Sequence, residues 1–188
     1  AEAYGRWEAL ETRREEAWTL DAYDLAEKKR RTILAKRPLP GRVQFAPDPP
    51  YAMGDASLSR LRRLADELDA RVAMSLHETE VELRDSLAHH GKKPLRRLAD
   101  LGLLRPGFAA LQMNRLDEED LELSARTGIA VIAAPQSNLR LGSGGCPIPA
   151  LLEREVAVGL GSGSPASAGA LDMLSEARAA ALFAGSLC

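Results

Sequence analysis

The sequence has few of the residues on which many functional classes depend. Aromatic residues make up 4% of its 188 residues, and it has three histidines and two cysteines. Cys146 and Cys188 lack the spacing of a structural zinc site, so we interpret them as reduced thiols of a cytoplasmic protein. Alanine and leucine are abundant instead, and this composition is typical of a helix-rich α/β core.

Charge and hydrophobicity both argue against two classes of partner. The formal net charge of −2 gives no electrostatic attraction to nucleic acid or to an anionic membrane surface. No apolar run approaches the ~20 residues of a transmembrane helix, and we recognise no signal peptide. With 45% hydrophobic residues, the chain can bury one substantial core. We therefore expect no nucleic-acid partner and no membrane partner.

Several common catalytic motifs are also missing. The glycines of residues 142–145 are not followed by the Lys-Ser/Thr pair of a phosphate-binding loop. The segment GLGSGS at 159–164 lacks the third spaced glycine of a dinucleotide fingerprint. Neither a serine nucleophile elbow nor a Cys/His pair is evident. These gaps remove nucleotide-binding and serine- or cysteine-dependent classes from consideration.

Short apolar runs alternate with helical patterns from residue 41 onward. Apolar runs of this length, bounded by turn residues, predict buried parallel strands. The strands are predicted at 42–46, 71–76, 108–113, 129–134 and 156–161. The helices are predicted at 55–68, 80–89, 94–103, 117–127, 149–154 and 171–183, the first with Asp55 as its N-cap and the fourth closed by Gly128. This alternation predicts an α/β fold with a parallel sheet, whose ligand site lies in the loops after the strands.

The first 40 residues differ from the rest. Large apolar residues are scattered there through a charged, helix-favouring background, and Pro38 and Pro40 end the pattern. We predict an N-terminal helical segment at 1–40, followed by one domain at 41–188. The basic run at 28–31 is better explained by a solvated helix face than by a nucleic-acid site.

Several segments resemble metal-dependent amidohydrolases, namely the triazine hydrolases and the methylthioadenosine/adenosylhomocysteine deaminases. The SNLRLGSG segment at 137–144 is similar to SNLKLGSG of that family. LHET at 76–79 is similar to its HLHET, and GLGSGSPAS at 159–167 to its GLGTDGAAS. The helices at 80–103 are similar to its EVEDSLARYGKRPVERLAELGLL. The resemblance runs from about residue 42 to residue 182.

The resemblance implies a partial TIM-type (β/α) barrel of about six strand–helix units. An incomplete barrel leaves unpaired strand edges, which promote aggregation unless they are covered. The helical segment at 1–40 is one candidate cover, and a second copy or a partner subunit is another. We therefore expect either a homo-oligomer or a complex with a partner subunit.

The family uses zinc or iron, but the residues that the resemblance places at its ligand positions cannot hold a metal. Those positions are occupied by Arg115, Ala133 and Gly163, and the sequence has no His-x-His pair. Arginine stays protonated, and the other two residues have no ligand atom. We therefore expect no metal cofactor, and a non-catalytic, amidohydrolase-like protein that acts through binding or assembly.

Two alternatives remain open beside this pseudoenzyme hypothesis. The chain could be a subunit of a metal-dependent hydrolase or deaminase acting on a purine- or triazine-like amine, with the metal-binding half on another polypeptide. It could also be a fragment of a decayed gene.

A few residues match other positions of the family's site. Glu118 corresponds to the family's proton-shuttling glutamate. It could be a vestige of that role, an ordinary acidic residue at the start of a helix, or the ion-pair partner of Arg115. The resemblance implies substrate contacts for His77 and Ser167, although a hydrogen-bonded structural histidine at a strand end explains His77 equally well. Ser137 and Asn138 lie in the SNLRLGSG loop, where turn geometry is the better explanation. The catalytic set is therefore expected to be empty, and a substrate-binding set is expected to comprise His77, Ser137, Asn138 and Ser167.

Overall fold

A computed structural model describes residues 44–169 and 171–185 of the chain. The N-terminal segment predicted at 1–40 lies outside these residues. Five strands are described: β1 (Gln44–Phe45), β2 (Arg71–Leu76), β3 (Phe108–Gln112), β4 (Ala130–Ala133) and β5 (Ala157–Leu160). The α-helices are α1 (Asp55–Glu67), α2 (Glu80–His90), α3 (Pro94–Asp100), α4 (Glu118–Thr127), α5 (Pro135–Leu141), α6 (Ile148–Glu153), α7 (Pro165–Ala168) and α8 (Met173–Gly185). A single 3₁₀ turn, Pro50–Ala52, follows β1.

The strands form one parallel sheet in the order of the chain, β1-β2-β3-β4-β5. Each strand pairs only with its sequence neighbours, and helices connect consecutive strands. Parallel neighbours require such crossover connections, which place helices against the sheet. The α/β class and the partial-barrel architecture are thus confirmed. The described sheet has five strands, whereas the resemblance implied about six units.

Most predicted elements are present, but two local assignments were wrong. The SNLRLGSG segment is not a loop throughout, because residues 137–141 belong to helix α5, which begins at Pro135. Proline is favoured in a first helical turn, where no internal amide partner is needed. Asp55 is the first residue of α1 and not its N-cap, which is Gly54. Asp117 instead caps α4 by accepting a bond from the Asp120 amide, and Gly128 closes that helix at φ 65° as predicted.

The two faces of the sheet differ in how well they are covered. The row of Met74, Ala110 and Val131 is in register across three strands and is completely buried under the helices. The neighbouring row on the opposite face, Ser75, Leu111 and Ile132, is only half-buried. Alternate residues of a strand point to opposite faces, so one face is packed and the other is partly open. No helix in the described residues has the length and apolar character needed to cross a membrane.

A buried arginine ties the loop after β1 to helix α3. The Arg97 side chain is 4% exposed, and its Nε donates to Oδ1 of Asp55 at 2.8 Å. Its Nη1 and Nη2 donate to the carbonyl oxygens of Pro50 and Met53, both at 2.7 Å. Charge-assisted bonds of this kind are stronger than neutral ones, so Arg97 fixes the first loop at the carboxyl edge of the sheet.

Replacing Arg97 with methionine should lower the free energy of unfolding by about 2–4 kcal/mol, because two buried carbonyls lose their charged donor. Urea denaturation followed by far-ultraviolet circular dichroism measures this change. The matched control is Arg96→Met on the same helix, where the side chain is half-exposed and pairs with Asp100. An equal loss in both variants would show that Arg97 has no special role in the loop.

Candidate functional site

The loops at the carboxyl ends of the strands come together at one edge of the sheet. Three residues there, His77, Gln112 and Met113, have positive φ angles of 52°, 76° and 52°. This left-handed conformation is unfavourable for residues other than glycine and persists only where surrounding contacts stabilise it. Three of the five non-glycine residues with positive φ in the described residues therefore lie at the edge that the parallel fold assigns to ligands, and the other two, Asp69 and Glu155, precede strands at the opposite edge.

His77, at the end of β2, uses both of its ring nitrogens within the chain. The Leu95 amide donates to Nε2 at 3.1 Å, so Nε2 is unprotonated and Nδ1–H donates to the Arg115 carbonyl oxygen at 2.8 Å. The ring is completely buried. Its backbone carbonyl accepts from the amides of Asn114 and Arg115 at 3.0 and 3.1 Å. His77 thus joins the loop after β2 to the loop after β3 and to the start of α3.

The charges around His77 are arranged in a small cluster. Oδ2 of Asp120 lies 3.7 Å from Nδ1 of His77, and Lys93 donates to the carboxylates of Asp117 and Asp120. Burial lowers the pKa of His77 below 6.5, against the opposing effect of the Asp120 charge. Burial raises the pKa of Asp120, whereas the bond from Lys93 lowers the pKa of Asp117 to about 2. His77 is therefore neutral in the folded protein.

A buried carboxylate fixes the backbone next to His77. Glu82 of α2 accepts from the amides of His77 and Glu78 at 3.1 and 2.7 Å, and its own amide donates to Oγ1 of Thr79 at 3.2 Å. Burial raises the pKa of Glu82, while the two backbone bonds oppose that rise. The Thr79-x-x-Glu82 spacing is a capping-box signal that could have identified this glutamate from the sequence.

Two asparagines continue the polar network to helix α5. Nδ2 of Asn138 donates to Oδ1 of Asn114 at 2.7 Å, and Nδ2 of Asn114 donates to the Glu78 carbonyl at 3.2 Å. Asn138 is fully buried and Asn114 is nearly so. Two consecutive hydrogen bonds of asparagine side chains therefore connect the loop after β2, the loop after β3 and the helix after β4. Asn114 was not among the residues singled out from the sequence, because its partner is 24 positions away.

Two of the predicted substrate-binding residues, Ser137 and Ser167, meet around Gly163. A Cβ at Gly163 would lie 3.2 Å from Oγ of Ser137 and 3.4 Å from Oγ of Ser167. Ser137 is buried, and Ser167 forms a capping box with Ser164 at the start of α7. The helix after β4 and the loop after β5 thus present hydroxyl groups at a common point. His77 and Asn138 belong instead to the bonded network behind that point.

The ion pair between Arg115 and Glu118, one of the three alternatives for Glu118, is not formed. Glu118 is exposed and pairs with Arg154, at the end of α6. Arg115 is exposed, and its guanidinium lies near Gly144, where a Cβ would be 3.1 Å from Cζ. The two residues diverge because Arg115 precedes the N-cap of α4, whereas Glu118 is on the outer side of its first turn.

The three positions that the resemblance assigns to metal ligands do not fit a metal. Within 44–169 and 171–185, no group of three or more His, Cys, Asp or Glu side chains could hold an ion. Ala133 is buried in the sheet, and Gly163 has φ 65° with Ser137 Cβ only 3.1 Å from its added Cβ. An aspartate at Gly163 would be strained and crowded in this arrangement.

A further buried carboxylate, which sequence reasoning missed, anchors α5. Glu176 of α8 is completely buried and accepts from the Gln136 amide at 3.0 Å. Gln136 lies in the first turn of α5, where backbone amides lack helical partners. In the sequence alone, Glu176 looks like any solvent-exposed glutamate on an alanine-rich helix. Only the packing of α8 against α5 identifies it as a support for the loop that contains Ser137.

Replacing His77 with glutamine should lower the free energy of unfolding at pH 7.5 by about 1–3 kcal/mol, because buried bonds are lost. Since the pKa of His77 is lowered on folding, only the unfolded chain takes up a proton as the pH falls below 6.5. The stability advantage of the wild-type protein should therefore shrink between pH 7 and pH 5.5. Urea denaturation across this range tests both effects.

His89→Gln, at the exposed end of α2, is the control for His77 and should change the free energy of unfolding by less than about 0.5 kcal/mol. A constant difference between wild type and His77→Gln at every pH would contradict the neutral, doubly bonded state of His77.

Asn114→Leu and Asn138→Leu should each cost about 1–3 kcal/mol of stability, because each leaves a buried amide without its partner. The double variant should cost less than the sum, with a coupling of about 0.5 kcal/mol or more. A double-mutant cycle by urea denaturation measures that coupling. Strict additivity would show that the asparagine bond is absent in solution.

Comparisons with known proteins agree with the fold and with the resemblance. The profile of the amidohydrolase family matches residues 6–187. A 5-methylthioadenosine/S-adenosylhomocysteine deaminase of Teredinibacter turnerae is 48% identical over 141 residues, 75% of this chain and 32% of the relative. A 5'-deoxyadenosine deaminase of Methanopyrus kandleri is 37% identical over 145 residues, 76% of this chain and 34% of the relative. The chain thus spans about a third of the length of these curated relatives.

Solved structures give the same result. An adenosine deaminase from Xanthomonas campestris with bound zinc superposes with a TM-score of 0.75 at 43% identity, over 77% of this chain and 33% of that chain. The zinc complex of atrazine chlorohydrolase TrzN from Arthrobacter aurescens has a TM-score of 0.70 at 23% identity, over 73% and 30% of the two chains, and supports the fold.

These comparisons contradict two predictions made from the sequence. The pseudoenzyme hypothesis is wrong, because relatives up to 48% identical are named as deaminases, and the alternative of a deaminase subunit fits better. The prediction of no cofactor is also wrong, because a structure 43% identical contains zinc. A segment that spans a third of an enzyme need not contain every ligand, so losses within it do not imply a lost metal. The chain belongs to the amidohydrolase family.

Proposed function

We propose that this chain is part of a hydrolytic deaminase that acts on adenine nucleosides. In that reaction, water replaces the amino group at C6 of the adenine ring and ammonia leaves, so that the product is the corresponding inosine-type nucleoside. The observation that carries the proposal is the 48% identity, over 141 residues, to a 5-methylthioadenosine/S-adenosylhomocysteine deaminase. A triazine substrate has weaker support, since the triazine hydrolases are only 23–24% identical.

The described residues support the role of a scaffold for the substrate loops. In our proposal, Ser137 and Ser167 face the nucleoside, since their hydroxyl oxygens meet around Gly163 at the carboxyl ends of β4 and β5. Hydroxyl groups there can donate to, and accept from, ring nitrogens and ribose oxygens. Asn138, next to Ser137 on α5, bonds Asn114 in the loop after β3, and His77 bonds the same loop through the Arg115 carbonyl. Substrate specificity thus depends on the hydroxyl pair, and loop position depends on the network.

The metal of this enzyme must be held elsewhere. A homologous structure contains zinc, whereas the described part of the chain has no cluster of metal-binding side chains. We therefore assign the ligands to the remainder of the enzyme, on another polypeptide, because residues 1–43 contain no histidine or cysteine. The same remainder would complete the sheet, because β1 and β5 each have only one neighbouring strand among the described residues.

We place this assembly in the cytoplasm. Cys146 is free and buried, and burial raises the pKa of its thiol to about 12. A protonated, buried thiol is stable in a reducing compartment and contributes no reactive nucleophile.

Tagged full-length chain isolated with its native partners should convert adenosine, 5'-methylthioadenosine or S-adenosylhomocysteine into the inosine-type product with release of ammonia. The chain expressed alone should be inactive with added zinc, because its described part lacks a metal site. Mass spectrometry of the product and an ammonia assay provide the readouts. Native mass spectrometry of each fraction identifies the subunits and the metal in it.

Ser137→Ala is the matched variant for this experiment, and Ser175→Ala, a serine on α8 that bonds Asp172, is its control. Ser137→Ala should lower kcat/KM for the nucleoside by about ten-fold or more, since a buried bond to substrate is worth about 1.5 kcal/mol or more. Inactivity of every isolated assembly toward adenine nucleosides would contradict the proposed function.

A further inference from the structure

Helix α5 has a buried hydroxyl group that forms no hydrogen bond with the described residues. Ser137 is 3% exposed, and its Oγ lies 3.2 Å from the Cβ that a side chain at Gly163 would have. Gly163 itself is exposed, so the hydroxyl lies just beneath the surface at this glycine. Buried polar groups are nearly always bonded, and this hydroxyl is therefore available to a ligand.

An arginine on the same side of α5 is also without a partner. Arg140 follows Ser137 by three residues, a spacing that makes the two side chains neighbours on a helix surface. A Cβ at Gly169 would lie 2.9 Å from Nη1 and 3.0 Å from Nη2 of Arg140. The guanidinium forms no hydrogen bond or ion pair with any residue in the described part of the chain. Arg140 is exposed, so its charge is open to a group from outside the domain.

Two glycines, one at each end of α7, make room for these side chains. Helix α7 packs against α5, with Gly163 before it and Gly169 directly after it. Both glycines have positive φ, 65° and 87°, and a side chain at either would crowd Ser137 or Arg140. The hydroxyl group and the guanidinium thus lie on one side of α5, both facing the segment that follows β5.

We propose that Ser137 and Arg140 form a subsite for a carboxylate of the substrate and so favour S-adenosylhomocysteine over 5'-methylthioadenosine. The inference rests on the proposed function, in which Ser137 faces the nucleoside. The two nucleosides differ in the group on the 5' sulfur, which is an amino-acid chain with a carboxylate in one and a methyl group in the other. A guanidinium binds a carboxylate through two parallel bonds, and a hydroxyl group supplies a further donor.

The acidic groups of the neighbouring helix do not take this role. Asp172, just before α8, accepts from the Ser175 hydroxyl and the Leu174 amide. Glu176 is buried and accepts from the Gln136 amide. Each of these carboxylates has its own partners within the chain, so the charge of the guanidinium is left for a group that the ligand brings.

Comparing the two nucleosides as substrates of the isolated assembly tests the proposal. Arg140→Met should lower the ratio of kcat/KM for S-adenosylhomocysteine to that for 5'-methylthioadenosine by about ten-fold, through a higher KM for the former. Decarboxylated S-adenosylhomocysteine keeps the amine and lacks the carboxylate, so its ratio to 5'-methylthioadenosine should not depend on Arg140. Arg126→Met, an exposed arginine in the last turn of α4, is the matched control and should leave every ratio unchanged.

Three results would overturn the proposal. Equal losses with both nucleosides would show that Arg140 supports the fold of α5 and does not bind the carboxylate. An unchanged ratio would show that the carboxylate binds elsewhere. Loss of a subunit from the variant assembly in native mass spectrometry would identify Arg140 as a contact to the partner polypeptide. If Arg140→Met loses its circular dichroism signal, Arg140→Gln replaces it, and equal turnover of S-adenosylhomocysteine and its decarboxylated form by the wild type would also contradict the subsite.

Equilibrium dialysis separates this inference from the proposed function, because it needs no turnover. The wild-type assembly should bind S-adenosylhomocysteine about ten-fold more tightly than its decarboxylated form, and Arg140→Met should abolish that preference. A preference of this kind in an assembly that deaminates neither nucleoside would refute the proposed function and leave the subsite intact. Deamination of both nucleosides without any preference for the carboxylate would refute the subsite alone.

Discussion

The arrangement of the site edge depends on the bonding of one buried histidine. His77 is held in a left-handed conformation at the end of β2, and its ring and carbonyl together bond to the amide of Leu95, the carbonyl of Arg115 and the amides of Asn114 and Arg115. Because the group is buried and neutral, these bonds avoid the cost of an unpaired polar atom in the interior. The strained backbone and the network depend on each other, and the asparagine pair extends the same constraint to α5.

The incompleteness of the sheet is the second constraint. A parallel sheet is normally covered on both faces, yet Leu111 and Ile132 are half-buried on the face that the helices leave open. In a closed barrel, such residues form layers with side chains from the remaining strands. The chain spans about a third of the length of these relatives, and its described residues leave this face of the sheet partly open.

The error about catalysis has a physical explanation. Arg115, Ala133 and Gly163 have no side-chain atom suited to holding a metal. The inference from these positions to a non-catalytic protein failed because a metal site is built from several loops of a closed barrel. Residues outside a segment can supply the ligands, and chemistry at a site is a property of the assembled loops and not of one stretch of sequence.

The sequence by itself determined the α/β class, the parallel strands, the helix cap at Gly128, and the family, because periodicity, capping and motif spacing are local properties. It also brought Ser137 and Ser167 into consideration, although not their meeting at Gly163. Only the tertiary structure decided that His77 is a bonded support, that Glu118 pairs with Arg154, and that Glu176 is buried beneath α5. These facts depend on contacts between residues 18 to 40 positions apart, and no local pattern encodes which distant group completes a buried bond.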